Sequence, residues 1–175
     1  MILKTPLLWR LPAAALRTSL IEMAPDGALG REGVALWLGR RTAGVVTITH
    51  VVGLRGPGVV KTPNHLSISA ELLDDVTDVM IENGVYLVGQ IHSHPSDWVE
   101  LSDADRLFGI QAAGYLSVVA PHFARDPETP PGRCGFHVHD RGRWRRLGPW
   151  ERSWRVALTS GVAPLIIVGG CRDER

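Results

Sequence analysis

The sequence predicts an α+β or mixed α/β fold, in which strands and helices pack as a sandwich. Segments with the helical repeat of apolar residues alternate along the chain with short β-branched runs. Turn-forming residues at 40–44 and 140–142 each separate two such runs, which is typical of hairpins. Other runs are joined through a predicted helix, so parallel pairs are expected as well. With 175 residues the chain is long enough for one substantial core, and we assign residues 1–175 to a single domain.

The first part of the chain is predicted to contain a helix followed by a hairpin. The helix covers residues 12–24, with Pro12 at its first position and Pro25 closing it. A turn follows over residues 27–30. The two strands of the hairpin are residues 34–38 and 45–49. Residues 53–64 carry three glycines and two prolines, which predicts a mobile loop.

The middle of the chain contains the clearest helix, at residues 69–82. Its apolar residues form one stripe, and Asn83-Gly84 supplies the stop. A strand over residues 85–91 then leads to His92 and His94. The elements expected after it are a helix at 102–111, a strand at 115–120, a proline-rich loop at 124–133, and hairpin strands at 136–139 and 144–147.

The C-terminal residues 148–175 have no clear place in this pattern. The apolar segment 162–170 contains Pro164 and is predicted to be a strand or a packed tail, since it is far too short to cross a bilayer. Trp150 and Trp154 are expected either to cover the core or to form a homo-oligomer contact.

Charge and cysteine content exclude several classes of protein. A formal net charge of +1 provides no general field for nucleic acid or an anionic membrane, so neither is expected as a partner. The two cysteines, Cys134 and Cys171, form no disulfide framework and no C-x-x-C site. Arg10 and Arg17 interrupt the apolar N-terminal run, which argues against a secretory leader. A cytoplasmic location is therefore expected.

The most informative stretch is His92-Ser93-His94-Pro95, followed by Ser102 and Asp105. Alternate side chains of a strand point to the same face, so both imidazoles can reach one metal ion. Pro95 lacks an N–H and ends the strand just after the second histidine. A helix that begins near Ser102 brings Asp105 back beside them. Two imidazoles and one carboxylate, with a further position left for water, are typical of a catalytic zinc site.

Two features of this stretch have simpler interpretations. Ser102 and Asp105 have the spacing of a helix capping box, and the serine is expected to serve both the helix and the site. His137 and His139 repeat the H-x-H spacing without a following proline, serine or aspartate, so we interpret them as surface or hydrogen-bonded histidines. Asp103 falls outside the spacing and is expected at a solvated helix N-terminus.

The combined pattern resembles that of the JAMM (MPN+) zinc metalloprotease family. Members have an upstream glutamate in E-x-x-G-x-x-x-G, then H-x-H-P, then serine and aspartate at the spacing seen here. In this chain Glu32 and Gly39 match the upstream pattern, whereas Ala35 replaces its middle glycine. The resemblance covers roughly residues 8–147 and implies an MPN fold, in which a curved mixed β-sheet packs with helices in a cytidine-deaminase-like sandwich.

The resemblance also implies roles for five residues. His92, His94 and Asp105 would bind one Zn²⁺ ion, Glu32 would be the general acid/base, and Ser102 would stabilise the oxyanion. The implied function is a deubiquitinase-like peptidase or isopeptidase that cleaves after the C-terminal tail of a ubiquitin-like protein. Its partners would be that protein or its conjugate and proteins of the conjugation pathway. The alternatives are a non-catalytic MPN scaffold and a RadC-like protein with a different substrate; Pro95-Ser96 matches the RadC group, but Asp97 replaces its usual glycine.

Overall fold

The computed structural model describes residues 8–169, and a curled nine-stranded mixed sheet is its main feature. The strands are β1 (Leu8–Pro12), β2 (Val34–Thr42), β3 (Val45–Leu54), β4 (Val59–Lys61), β5 (Leu66–Ile68), β6 (Tyr86–Ser93), β7 (Leu116–Ala120), β8 (Gly135–Asp140), β9 (Arg143–Arg146), β10 (Val156–Thr159) and β11 (Leu165–Val168). The helices are α1 (Ala13–Ala28), α2 (Ala70–Asn83), α3 (Asp103–Phe108) and α4 (Pro149–Arg155). The predicted mixed α/β fold class is confirmed.

The order of strands in the large sheet is β10-β1-β3-β2-β6-β7-β8-β9, with β11 pairing a second stretch of β3. The hairpins β2–β3 and β8–β9 are antiparallel, as predicted, while β6 and β7 are parallel. The pairing of β2 with β3 shifts register between Leu38 and Gly39, and its pairing with β6 shifts between Trp37 and Leu38. A side chain at Gly39 would lie 2.2 Å from the Thr47 carbonyl oxygen, so this irregular pairing requires glycine.

Helices α1 and α2 pack on opposite faces of the sheet. Successive residues of β2 alternate between the two faces. Ala35 and Trp37 join the cluster that contains Leu20 of α1. Leu36, on the other face, packs with Val76 of α2. Both faces of the central strands are therefore buried, which explains the continuous apolar run in β2.

The α2 face of the sheet is divided into an apolar part and a polar part. Helix α2 covers β2, β3 and β11 with apolar side chains. Across β6, β7 and β8 the same face instead presents a row of polar side chains at paired positions: Gln90 and His92, Ser117, His137 and His139. This polar row contains His92, one of the predicted metal ligands.

The first helix is longer than predicted. It begins at Ala13, with Pro12 at the N-cap, but it continues through Pro25 to Ala28. The prediction that Pro25 closes the helix is wrong. The turn predicted over residues 27–30 is also wrong in part, because residues 27 and 28 are still helical. Gly27 in this last turn lies directly against the Phe123 carbonyl oxygen. This packing favours one more helical turn and outweighs the tendency of Pro25 to end the helix.

The other predicted elements are mostly confirmed, with shifted ends. Helix α2 begins after the Ser69 cap and ends at Gly84, which has a φ of 60°. The loop predicted at residues 53–64 is wrong in part, because β3 extends to Leu54 and β4 lies within this range, paired with β5 just beyond it. Helix α3 is shorter than the predicted 102–111, since Gly109 leaves the helical conformation.

The C-terminal segment completes the sheet. Strand β10 pairs with β1 and β11 pairs with β3, both in parallel. The strand predicted within residues 162–170 is thus confirmed as β11, although residues 1–7 and 170–175, including Cys171, lie outside the described part. Trp150 is 83% exposed, so it does not cover the core. Among residues 8–169 no helix has the length and apolar character needed to cross a membrane.

Candidate metal centre

The three predicted metal ligands lie together at the C-terminal end of β6. His92 is the second-to-last residue of that strand, and His94 comes directly after the strand ends. Asp105 lies in the first turn of α3. One ligand atom from each lies within 4.8 Å of the other two. Both histidines are buried, while Asp105 is partly exposed. The predicted position of Asp105, beside the two histidines and in the first turn of α3, is confirmed.

His94 is held on two sides. Its Nδ1 lies 3.2 Å from the carbonyl oxygen of Trp98, and its Nε2 lies 3.3 Å from Asp105 Oδ2. A carbonyl only accepts hydrogen bonds, so Nδ1 carries a hydrogen, and Nε2 is the nitrogen that would bind a metal ion in the cluster. The Trp98 indole stacks on the imidazole, with centroids 5.4 Å apart. Trp98 thus fixes both the position and the tautomer of His94.

His92 presents a buried nitrogen without a hydrogen-bond partner. Its Nε2 lies 3.4 Å from Asp105 Oδ2 but makes no hydrogen bond of acceptable geometry there. Buried polar atoms without a hydrogen-bond partner are uncommon in native structures, and a bound metal ion is one explanation for such an atom. Two imidazole nitrogens and one carboxylate oxygen suit Zn²⁺, and three protein ligands are the number found in open catalytic sites. The residues present therefore fit the metal that the sequence predicts.

Asp105 is also half of a capping box. Its Oδ2 accepts hydrogen bonds from the Ser102 N–H at 2.8 Å and the Ser102 hydroxyl at 2.7 Å, while its own N–H donates to Ser102 Oγ at 3.1 Å. Burial alone would raise the pKa of Asp105, but contacts with His92, His94 and the Ser102 hydroxyl outweigh it and hold that pKa well below its usual range. Asp105 is therefore ionised, as a metal ligand must be.

Glu32 lies beside this cluster, just before β2. Its neighbour Gly33 pairs with Ser93, and the next residue, Val34, pairs with His92. Only 7% of Glu32 is exposed. Burial raises its pKa to about 7, with His94 opposing the rise and Asp105 adding to it. A carboxyl group with a pKa near neutrality can both accept and donate a proton, which is what a general acid/base requires.

Ser93 is a residue that the sequence did not single out. Its Oγ accepts a hydrogen bond from the Gly33 N–H at 2.9 Å, and its own N–H donates to the Gly33 carbonyl at 3.1 Å. Ser93 therefore ties the segment that carries Glu32 to the strand that carries the two histidines. A serine at the middle position of H-x-H was visible in the sequence. Its partner, Gly33, was not, because that contact depends on the register between β2 and β6.

We expect Ser93→Ala to lower the free energy of unfolding by about 1–3 kcal/mol, because the buried Gly33 N–H loses its acceptor. The matched control is Ser96→Ala, which removes an exposed hydroxyl that accepts from the Trp98 N–H, and should change stability by about 0.5 kcal/mol or less. Urea unfolding of both variants measures the difference. Equal losses in the two variants would contradict the role given to Ser93.

A left-handed turn after β7 holds the backbone around His94. His122, Phe123 and Ala124 have φ values of 53°, 58° and 52°, which cost about 1–2 kcal/mol for each residue that is not glycine. In return the Phe123 N–H donates to the His94 carbonyl at 2.7 Å, and the His122 N–H donates to the Ser96 carbonyl at 3.2 Å. Strain of this kind is commonly found at functional sites. No pattern in the sequence indicates it.

The second H-x-H pair lies on the same sheet face, two strands away. His137 is fully buried, so it is hydrogen-bonded rather than at the surface: its Nε2 lies 3.3 Å from Glu100 Oε2. Burial lowers the pKa of His137 to about 4, against the opposing effect of Glu100. Within residues 8–169, His92, His94 and Asp105 are the group close enough to hold one metal ion, and this pair is not part of it.

The fold and the site together define a mixed α/β protein with a candidate His-His-Asp metal centre and a buried carboxyl group beside it. Comparison with known proteins gives a relative with a matching description. The chain is 25% identical over 152 residues to a probable metalloprotease, y4jG, of Sinorhizobium fredii, covering 86% of this chain and 93% of the relative. No family model matches the sequence.

Solved structures provide a separate comparison. Protein DSY2949 from Desulfitobacterium hafniense superposes with a TM-score of 0.67 over 89% of this chain and 95% of its own, at 18% identity, which shows a shared fold. AF2198, a JAB1/MPN domain protein from Archaeoglobus fulgidus, aligns over 78% of this chain and 93% of its own with a TM-score of 0.42 and 18% identity. A similarity as low as the second supports no conclusion about this chain.

Proposed function

We propose that this chain is a zinc-dependent peptidase or isopeptidase of the JAMM (MPN+) type. The observation that carries the proposal is the buried His92–His94–Asp105 cluster with Glu32 beside it. The description of the Sinorhizobium relative as a probable metalloprotease supports it, because the similarity extends over most of both chains.

Zinc held by His92, His94 and Asp105 would supply Lewis acidity and a lower pKa for water at the site. The protein's own part is then to move protons and to position the substrate. Glu32 accepts a proton from the attacking water and returns it to the leaving amine, which its pKa of about 7 suits. Because Glu32 is buried, the carboxyl group is shielded from bulk solvent while it does so.

Ser102 would act as a hydrogen-bond donor to the oxyanion of the tetrahedral intermediate. Its hydroxyl donates to Asp105 Oδ2 in the structure, so this role requires the hydroxyl to turn toward the substrate. The Ser102 N–H still binds Asp105 Oδ2 when it does. The capping box can therefore keep α3 in place while the hydroxyl changes partner.

The small hairpin of β4 and β5 is suited to hold an extended substrate. The Glu32 N–H donates to the Thr62 carbonyl at 2.9 Å, which attaches this hairpin to the segment of the proposed base. In the described part of the chain β4 and β5 pair only with each other, so each has an open edge. A C-terminal tail of a ubiquitin-like protein could add a strand there by β-augmentation. Such a protein or its conjugate is our proposed substrate, with proteins of its conjugation pathway as further partners.

The proposal is tested with a ubiquitin-like protein whose C-terminal tail is fused to a reporter. We expect the purified protein to release the reporter, a chelator to stop the reaction, and added zinc to restore it. Release that continues at the same rate in chelator would exclude a metal peptidase. Stoichiometric zinc binding without cleavage of any tail fusion would favour the non-catalytic scaffold or a RadC-like protein with another substrate.

A further inference from the structure

We propose that Gln90 is a positioning residue for the metal centre, which it serves by holding His92 in the tautomer that binds metal. Gln90 precedes His92 by two residues on β6, so both side chains point to the same face of the sheet. The Gln90 amide nitrogen lies 3.5 Å from His92 Nδ1. This inference rests on the proposed metal site but not on peptidase activity.

The geometry of His92 requires a hydrogen-bond acceptor at this place. The Nε2 of the ring faces Asp105, so a metal ion held between them would take the lone pair of Nε2, and Nδ1 would then carry the hydrogen. For His94 the same requirement is met by the Trp98 carbonyl. For His92 the group that meets Nδ1 is the side-chain amide of Gln90, which has both a donor and an acceptor end.

Two hydroxyl groups allow that amide to present either end. The Tyr115 hydroxyl lies 3.3 Å from the Gln90 amide oxygen, and Ser117 Oγ lies 3.5 Å from the amide nitrogen. The two ends of an amide have nearly the same shape, and their assignment follows from the hydrogen-bond network.

Turned by 180°, the amide presents its acceptor to His92 and its donor to Tyr115. Its oxygen then accepts from His92 Nδ1–H and from the Ser117 hydroxyl, while its nitrogen donates to the Tyr115 oxygen. Hydroxyls both donate and accept, so they adjust to this arrangement without moving. Burial raises the pKa of Tyr115 above its usual range, so this hydroxyl keeps its proton. Tyr115, Gln90 and His92 thus form a line of hydrogen-bonding groups behind the proposed ligand.

The experiment compares the zinc affinities of Gln90→Met and Gln90→Glu with that of the unchanged protein, by competition with a chromophoric chelator. Methionine keeps the length and removes the acceptor, so affinity should fall about 10- to 100-fold. Glutamate keeps an acceptor at the same distance, so affinity should stay within about threefold of the unchanged protein or increase. The absorption spectrum of bound cobalt(II) should change in the methionine variant and be restored in the glutamate variant.

Thermal unfolding in chelator checks that each variant is folded. Unchanged zinc affinity in Gln90→Met, or a Gln90→Glu variant as weak as the methionine variant, would overturn the inference. If the unchanged protein binds no zinc, the inference fails together with the proposed metal site. If it binds zinc with the expected pattern of affinities but cleaves no peptide, the inference stands and only the peptidase proposal fails.

Discussion

Glu32→Gln is expected to lower the rate of peptide hydrolysis by about 10²- to 10⁴-fold, the usual contribution of a general acid/base. The amide has nearly the same size as the carboxyl group, and the Glu32 N–H keeps its bond to the Thr62 carbonyl. What is lost is the ability to accept and return a proton. Because Glu32 is not one of the three clustered ligands, the variant should still bind one zinc ion.

The measurement is therefore a pair: hydrolysis of a tail fusion and zinc content of the same preparation. The matched control is Glu128→Gln, since Glu128 is an exposed carboxylate that pairs with Arg17 away from the cluster. It should leave the rate unchanged. A Glu32→Gln variant that retains full activity would remove Glu32 from the mechanism, whereas loss of zinc together with activity would point to a role in binding the metal.

The second large effect is expected for Asp105→Ala, which removes one of the three proposed protein ligands. Losing a group that only orients a ligand lowers metal affinity by up to about 100-fold. Removing the ligand itself should therefore lower zinc affinity by more than that. The adjacent Asp103→Ala is a close control, because Asp103 is an exposed carboxylate in the same first turn of α3. That variant should bind zinc as the unchanged protein does.

Zinc titration monitored by chelator competition distinguishes the two variants. The alanine at position 105 also removes the acceptor for the Ser102 N–H, so Asp105→Asn is a useful third variant: it keeps an oxygen for the cap and removes the charge. Zinc binding as strong in Asp105→Ala as in Asp103→Ala would exclude Asp105 as a ligand.

The elements that could be predicted from sequence are those with a local cause. The apolar stripe of α2, its Ser69 cap and its Gly84 stop are all within one segment, and the predicted helix is correct to within one residue at each end. The two hairpins were recognisable because short turns join their strands. Strands β10 and β11 have no such neighbour: each pairs with a strand more than 100 residues away in sequence. Only the folded sheet determines their places.

The candidate site likewise has one part that the sequence predicts and another that it does not. The spacing of His92, His94 and Asp105 is local, because alternation on a strand and the first turn of a helix decide which way those side chains point. Gln90 and Ser93 lie within two residues of the histidines, yet their partners are Tyr115 and Gly33. Those contacts depend on how β6 pairs with β7 and β2. The sequence thus predicts the ligands but not the groups that orient them.

Helix α3 has a consequence for the energy of the site. It has only six residues, none of them buried, so little packing holds it in its folded conformation. Ordering a residue costs about 1–2 kcal/mol of backbone entropy, and Asp105 is the point at which α3 meets the two histidines. The capping box between Ser102 and Asp105 is one of the interactions that hold α3. An ion that binds Asp105 would therefore add to the stability of this short helix, and a change that destabilises the helix would in turn weaken binding at the site.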